Sequence, residues 1–292
     1  MLENHPSLVE FRASKTTKRD ANKIMPPISD GWFLTFKMDL QKKLMSISLD
    51  YYMILFLSIM ALYNVLAVGI TATLPQLLIA VITASFVDML INYIKTKQVI
   101  KPYHAIISGI FIAIILPTEQ KLYIPAIIAV IAILSKHLIK VNNKNLFNPA
   151  MFGLLFATLL FKQPLQWWGA APLPLVLLFG LLISYRFKRF HLTLTYIITS
   201  IILFFIFSLL NNNPLVDALI LSIFSINFYF VFFMLVEPMT SPVYKKGRIM
   251  YGFLVAVLSF VFGIYVVQFD PNNISLLILN LFAPLINKYI RS

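Results

Sequence analysis

Three carboxylates stand within or at the edge of long apolar runs: Asp88, Asp217 and Glu237. An ionisable side chain at membrane depth is costly and marks an ion or proton path unless packing or capping accounts for it. Asp88 is followed one turn later by Asn92, so the two share a helix face that can line a polar cavity. Glu237 opens the stretch Glu237-Pro238-Met239-Thr240-Ser241-Pro242, where carboxylate and hydroxyl oxygens from Glu237, Thr240 and Ser241 together could hold a hard cation such as sodium, or a proton. Asp217 follows Pro214 and is explained as a dipole-stabilising residue in a helix's first turn. The competing reading for all three is helix packing and capping.

The remaining chemistry is bounded by absences. The chain has no cysteine, which excludes thiolate-held zinc, iron–sulfur clusters and disulfides from it. His104, His137 and His191 lack partners at metal-ligand spacing, and no metal site is expected. No nucleotide fingerprint or Ser/His/Asp arrangement is present, so the chain alone is not expected to oxidise NADH or to act as an enzyme by itself. The net charge of +13 does not indicate nucleic acid, because the basic residues lie in short clusters between apolar runs.

The elements that must position these residues are membrane spans. Hydrophobic residues make up 60% of the 292, charged ones 12%, and the mean hydropathy is +0.85. A helix needs roughly 20 apolar residues to cross the hydrocarbon. That rule predicts spans over 51–69, 74–94, 103–116, 122–140, 148–162, 173–186, 190–210, 215–236, 247–268 and 273–289. Of the 24 basic residues, all but Lys121 and Lys162 then fall on one side. By the positive-inside rule that side is the cytoplasm, with both termini there and the protein in the inner or plasma membrane. The expected fold is all-α: about ten transmembrane helices as two inverted five-helix repeats, 51–162 and 173–289, within a domain spanning 50–292. Residues 1–49 form a polar, basic cytoplasmic leader, either disordered or lying on the leaflet.

Each half contains a Pro-bearing polar break, Asn145 to Met151 in the first and Glu237 to Pro242 in the second. Proline cannot donate a backbone hydrogen bond and disfavours helix in the residue before it, so Asn148-Pro149 and Glu237-Pro238 are predicted to be non-helical. Such backbone must line a cavity or find side-chain partners.

These motifs carry a family resemblance. Ser108-Gly109 through Leu116-Pro117, Lys136-His137 and Phe147-Asn148-Pro149-Ala150-Met151 resemble the first half of the RnfD/NqrB family; Phe233 through Pro242, Lys246-Gly247, Tyr251-Gly252 and Leu279-Asn280 through Leu285 resemble the second. The resemblance covers about residues 50–289. It implies a membrane subunit of a redox-driven, sodium- or proton-translocating electron transport complex of the Rnf/Nqr type, with other subunits as partners and an ion path near Asp88, Ser108, Gly109, Asn148, Pro149, Glu237, Thr240 and Ser241. In one place the chain departs from the pattern. Family members attach FMN through a phosphoester to the last Thr of a Ser/Thr-Gly-Ala-Thr motif, and here the stretch reads Trp168-Gly169-Ala170-Ala171. Without a hydroxyl at Ala171 no phosphoester forms, so no covalent cofactor is expected. A noncovalent flavin, FMN or riboflavin, is compatible with stacking on Trp167 and Trp168, whose alternative reading is as interfacial anchors. A small-solute or cofactor transporter on the same fold, and a nonredox assembly scaffold, are the competing functions.

Overall fold

A computed structural model describes residues 48–170, 172–266 and 268–290. The leader 1–47, Ala171, Val267, Arg291 and Ser292 lie outside the described residues, and with them the reading of the leader and of the attachment position. The helices are α1 (Leu49–Val68), α2 (Ile70–Thr96), α3 (Tyr103–Ile115), α4 (Tyr123–Leu138), α5 (Pro149–Phe161), α6 (Leu173–Arg186), α7 (Phe190–Leu210), α8 (Leu215–Phe224), α9 (Lys245–Tyr265) and α10 (Pro271–Tyr289). A π-turn occupies Phe230–Met234, and a two-residue-stranded hairpin, β1 (Lys140–Val141) and β2 (Lys144–Asn145), joins α4 to α5. Asn142 and Asn143 both have positive φ, the backbone that a tight hairpin of this kind requires.

α1, α2, α7 and α9 are each long and apolar enough to cross a membrane, and α3, α4, α5, α6 and α8 are shorter apolar helices. The chain is thus an all-α, multi-pass membrane protein. Large apolar side chains remain exposed along the helices, as at Leu78, Ile82, Phe86 and Leu90 on one face of α2, the surface that lipid solvates.

The two halves pack alike. α1 lies on α3, α2 on α3 and α4, and α4 on α5; correspondingly α6 lies on the π-turn, α7 on α8 and α9, and α9 on α10. Between the halves, first helix meets first helix and last meets last, α1 on α6 and α5 on α10. Phe56 and Phe179 stack across the first of these contacts, with centroids 4.4 Å apart. The second half thus repeats the packing order of the first, with the π-turn added after its third helix.

Two readings from the sequence need correction. The eighth span is not one helix over 215–236: α8 ends at Phe224, and the chain resumes as the π-turn after Asn227, whose side chain accepts from the Phe230 N–H (3.0 Å). Apolarity is continuous across the break, so hydropathy could not register it. The first polar break, read as non-helical through Asn148-Pro149, is helical from Pro149 onward, because a proline at the first helical position gives up no intrahelical bond. Asn148-Pro149 starts the last helix of its half, and its counterpart is Asp270-Pro271, which starts α10; both use an Asx side chain to cap the helix, Asn148 Oδ1 accepting from Met151 N (3.1 Å) and Asp270 Oδ1 from Asn273 N (2.8 Å), followed by proline at the first helical position. The counterpart of Glu237-Pro238 is Leu116-Pro117, where α3 stops because Leu116 is held extended before proline.

Candidate functional site

The two segments singled out as breaks come from different halves and meet. Asn148 Nδ2 donates to Glu237 Oε2 at 2.7 Å, and Thr240 Oγ1 donates to the same oxygen at 3.3 Å. Asn148 therefore has two tasks: its Oδ1 caps α5 while its Nδ2 holds the carboxylate. Among the described residues no lysine, arginine or histidine lies within 4 Å of the Glu237 carboxylate. It is a carboxylate sheltered by hydrogen-bond donors, with Lys136 acting on it through space and no cation in direct contact, an arrangement whose remaining oxygen lone pairs suit a cation or a proton.

The loop behind Glu237 is rigidly held. Ser241 Oγ donates to the Glu237 carbonyl and accepts from Arg189 Nη1 (3.0 Å), which also donates to the Pro242 carbonyl. Arg248 donates to the carbonyls of Pro242, Val243 and Lys188. Burial, with Arg248 beside it, lowers the Arg189 guanidinium to about 10, so it stays protonated at neutral pH and keeps its grip. From α10, Asn280 completes the site. With its amide turned to satisfy both ends, Oδ1 accepts from Asn148 N (3.1 Å) and Nδ2 donates to the Thr240 carbonyl (3.3 Å) and the Tyr251 hydroxyl. Asn280 and Tyr251 are fully buried.

Asn148 and Glu237 form part of the wall of a cleft of about 150 Å³. Its lining includes Asp50 and His104 at the starts of α1 and α3, Asn145 of the hairpin and Phe187 of the α6–α7 turn, all at the basic ends of their elements. Ser108 lines the same cleft and donates to the His104 carbonyl (2.9 Å). Gly109, its neighbour, is a packing residue: a Cβ there would lie 2.7 Å from Val81 Cα, so glycine lets α3 approach α2. Pro149 is the first residue of α5 and fixes where Asn148 sits.

Phe111 and Phe233, also in the cleft wall, abut Tyr229, Phe233 stacked at 4.9 Å and Phe111 edge-on at 6.0 Å. Tyr229 in turn meets Trp167 edge-on at 6.3 Å, and Trp167 Nε1 donates to Asp270 Oδ2 at 2.7 Å. A continuous file of aromatic side chains thus joins the cleft to the half-buried carboxylate that caps α10.

Trp168 lies apart from that file, at the end of α3. Where the helix breaks at Pro117, its last carbonyls lose intrahelical donors. Trp168 Nε1 donates to Ala113 O and Leu116 O, Gln76 Nε2 donates to the same two oxygens, and the backbone N–H groups of Gln166 and Trp167 donate to Ile115 O. Asn64 donates to the Gly169 carbonyl and ties this loop to α1 (3.2 Å). Both indoles are turned into the protein by these bonds.

Asp88 is buried and shares Lys136 with this centre, since the ammonium that it binds also acts through space on Glu237. Its Oδ1 accepts from Lys136 Nζ (2.8 Å) and contacts His137 Nε2 (2.7 Å), so its partners come from α4 and not from Asn92 on its own helix. Asp217 occupies the first turn of α8. Among the described residues no three His, Asp or Glu side chains gather at metal-binding spacing.

Sequence reasoning did not single out Asn280, Arg189, Gln76, Asn64 or Asp270 as site residues. For Asn64, Gln76 and Asn280 a signal existed: each is an isolated amide within an apolar run, which must find partners inside the protein. Arg189 and Asp270 sit in turns, where a charged residue carries no such signal.

The model of the NQR2, RnfD, RnfE family matches residues 40–173 and 171–292. No curated protein matches the chain.

Proposed function

The chain belongs to the NQR2, RnfD, RnfE family, and on that premise we propose that it is a membrane subunit of a redox-driven, ion-translocating electron transport complex of the Rnf/Nqr type. Its partners supply the redox chemistry, and this chain supplies part of the ion path and of the route for electrons across the membrane. The observation that carries the ion path is Glu237, a carboxylate with no cation in direct contact, held by Asn148 from the other half at the wall of an open cleft. Sodium or a proton would enter the cleft from the basic side, which on the charge rule faces the cytoplasm, and would be received by Glu237 with Thr240 beside it. On this reading the ion's onward course follows the aromatic file from Phe233 through Tyr229 and Trp167 to Asp270, whose side chains would have to move for passage.

Transport of a small solute on the same fold is the second reading, favoured by Ala171 standing where the flavin-attachment hydroxyl would be. Purification in mild detergent separates the two. Recovery of redox subunits with ion-coupled electron transfer supports the complex; a chain that purifies alone and passes a solute in liposomes refutes it.

The reading includes no covalent FMN, since Ala171 offers no hydroxyl. Acid-precipitated protein resolved under denaturing conditions is expected to show no flavin fluorescence in its band, and a fluorescent band would overturn this part of the proposal. A flavin released by the acid would be noncovalent, with its stacking partners at Trp167 and Trp168 to be tested by substitution.

A further inference from the structure

α9 and α10 are in close contact at their basic ends, where a Cβ on Gly247 would lie 3.0 Å from Ile286 Cγ2. Outside that contact they leave a groove of about 460 Å³ with almost no polar lining, walled by Met250, Leu254 and Leu258 on α9 and by Ile278, Phe282 and Tyr289 on α10. At about 1.5 Å per residue, the lining stretches on α9 and α10 run roughly 12 Å and 18 Å, against a hydrocarbon core of about 30 Å. The groove therefore serves one leaflet. A partner helix crossing the bilayer would need a seat of twice that length, whereas one acyl chain needs no more than this.

The lip of the groove carries positive charge. Lys246 is exposed and precedes Met250 by one turn on the same face of α9. Lys288 is exposed at the end of α10, with Nζ 5.4 Å from the centroid of Tyr289, which lines the groove at interfacial height. An apolar slot one leaflet deep beneath two ammonium groups has the form of a lipid: hydrocarbon below, anionic head group above. We propose that this groove binds an acyl chain of an anionic phospholipid from the leaflet on the basic side, with the head group between Lys246 and Lys288. The inference does not depend on the ion path.

Native mass spectrometry of the full chain in mild detergent, titrated with phosphatidylglycerol or phosphatidylcholine of the same chains, tests it. The wild type is expected to prefer phosphatidylglycerol by about thirtyfold, roughly fivefold for each lysine near an anionic head group. K246Q/K288Q should bind both lipids as weakly as the wild type binds phosphatidylcholine. Ile278→Trp, which fills the slot, should weaken both, and an unchanged melting temperature for each variant in excess detergent shows that it is folded. Equal binding of the two lipids by the wild type, or a preference that survives K246Q/K288Q, overturns the proposal. Because the chain has no cysteine, Phe282→Cys places a single thiol in the groove. Efficient crosslinking of that thiol to a second copy or to another subunit in native membranes would also overturn it, and its labelling by a maleimide-bearing lipid supports it.

Discussion

Glu237→Gln is expected to abolish ion-coupled turnover of the assembled complex, by about a hundredfold or more, while leaving the subunit folded and in place. Glutamine has the size of glutamate and still presents an oxygen to Asn148 Nδ2 and Thr240 Oγ1, so the bonds that position the side chain survive. The charge and the titratable proton do not. A buried carboxylate contributes about 3 kcal/mol to holding a cation or proton through charge-assisted bonds, and each 1.36 kcal/mol is tenfold. Electron transfer measured with an artificial acceptor, with the membrane gradient collapsed, separates the two functions: it should fall much less than sodium or proton uptake into vesicles. Glu237→Asp, which restores the charge on a shorter stem, should recover part of the uptake. Uptake by the Gln variant at the wild-type rate would remove Glu237 from the path and leave the cleft without an ion-binding group of its own.

The ten-element architecture was legible because two independent signals, apolar length and the position of lysine and arginine, obey physics that does not depend on function. The prolines at 149 and 238 were legible as interruptions, because a residue without a backbone N–H cannot continue a helix unnoticed. What they break was less so. Hydropathy reads Leu215 to Val236 as one run, since the interruption around Asn227 is made by a single polar side chain in an apolar context. The pairing of Asn148 with Glu237 joins residues 89 apart in sequence across the two halves, and no local pattern encodes such a contact. Asp88 illustrates the converse. Its helix face suggested Asn92, but a buried carboxylate is neutralised better by the ammonium of Lys136, with the His137 ring in hydrogen-bond contact from the same neighbouring helix. Trp168 reads as an anchor or a stacking platform from its position, and the structure gives its indole N–H to the carbonyls that Pro117 leaves exposed.

The largest loss of stability is expected from Asn280→Leu. A single amide in the middle of α10 serves the Asn148 N–H, the Thr240 carbonyl and the Tyr251 hydroxyl, all at the junction where the last helices of the two halves meet. Leucine fills nearly the same volume, so no cavity term enters; the cost is the desolvation of three groups left without partners. Each would cost about 1–3 kcal/mol in a soluble protein, and hydrogen bonds between membrane helices average about 0.6 kcal/mol with a maximum near 1.7. The sum is about 2–5 kcal/mol. Asn287→Leu is the matched control, because it removes one bond, to the Val243 N–H at an exposed end of the same helix, and should cost about 1 kcal/mol or less. Unfolding of the purified protein in mixed micelles by graded addition of a denaturing detergent measures both. The Asn280 variant should also lose ion coupling out of proportion to its folded fraction, since Asn148 positions Glu237 and Asn280 positions Asn148. Equal stability of the two variants would mean that the three groups find other partners, and that the contact between α5 and α10 rests on apolar packing alone.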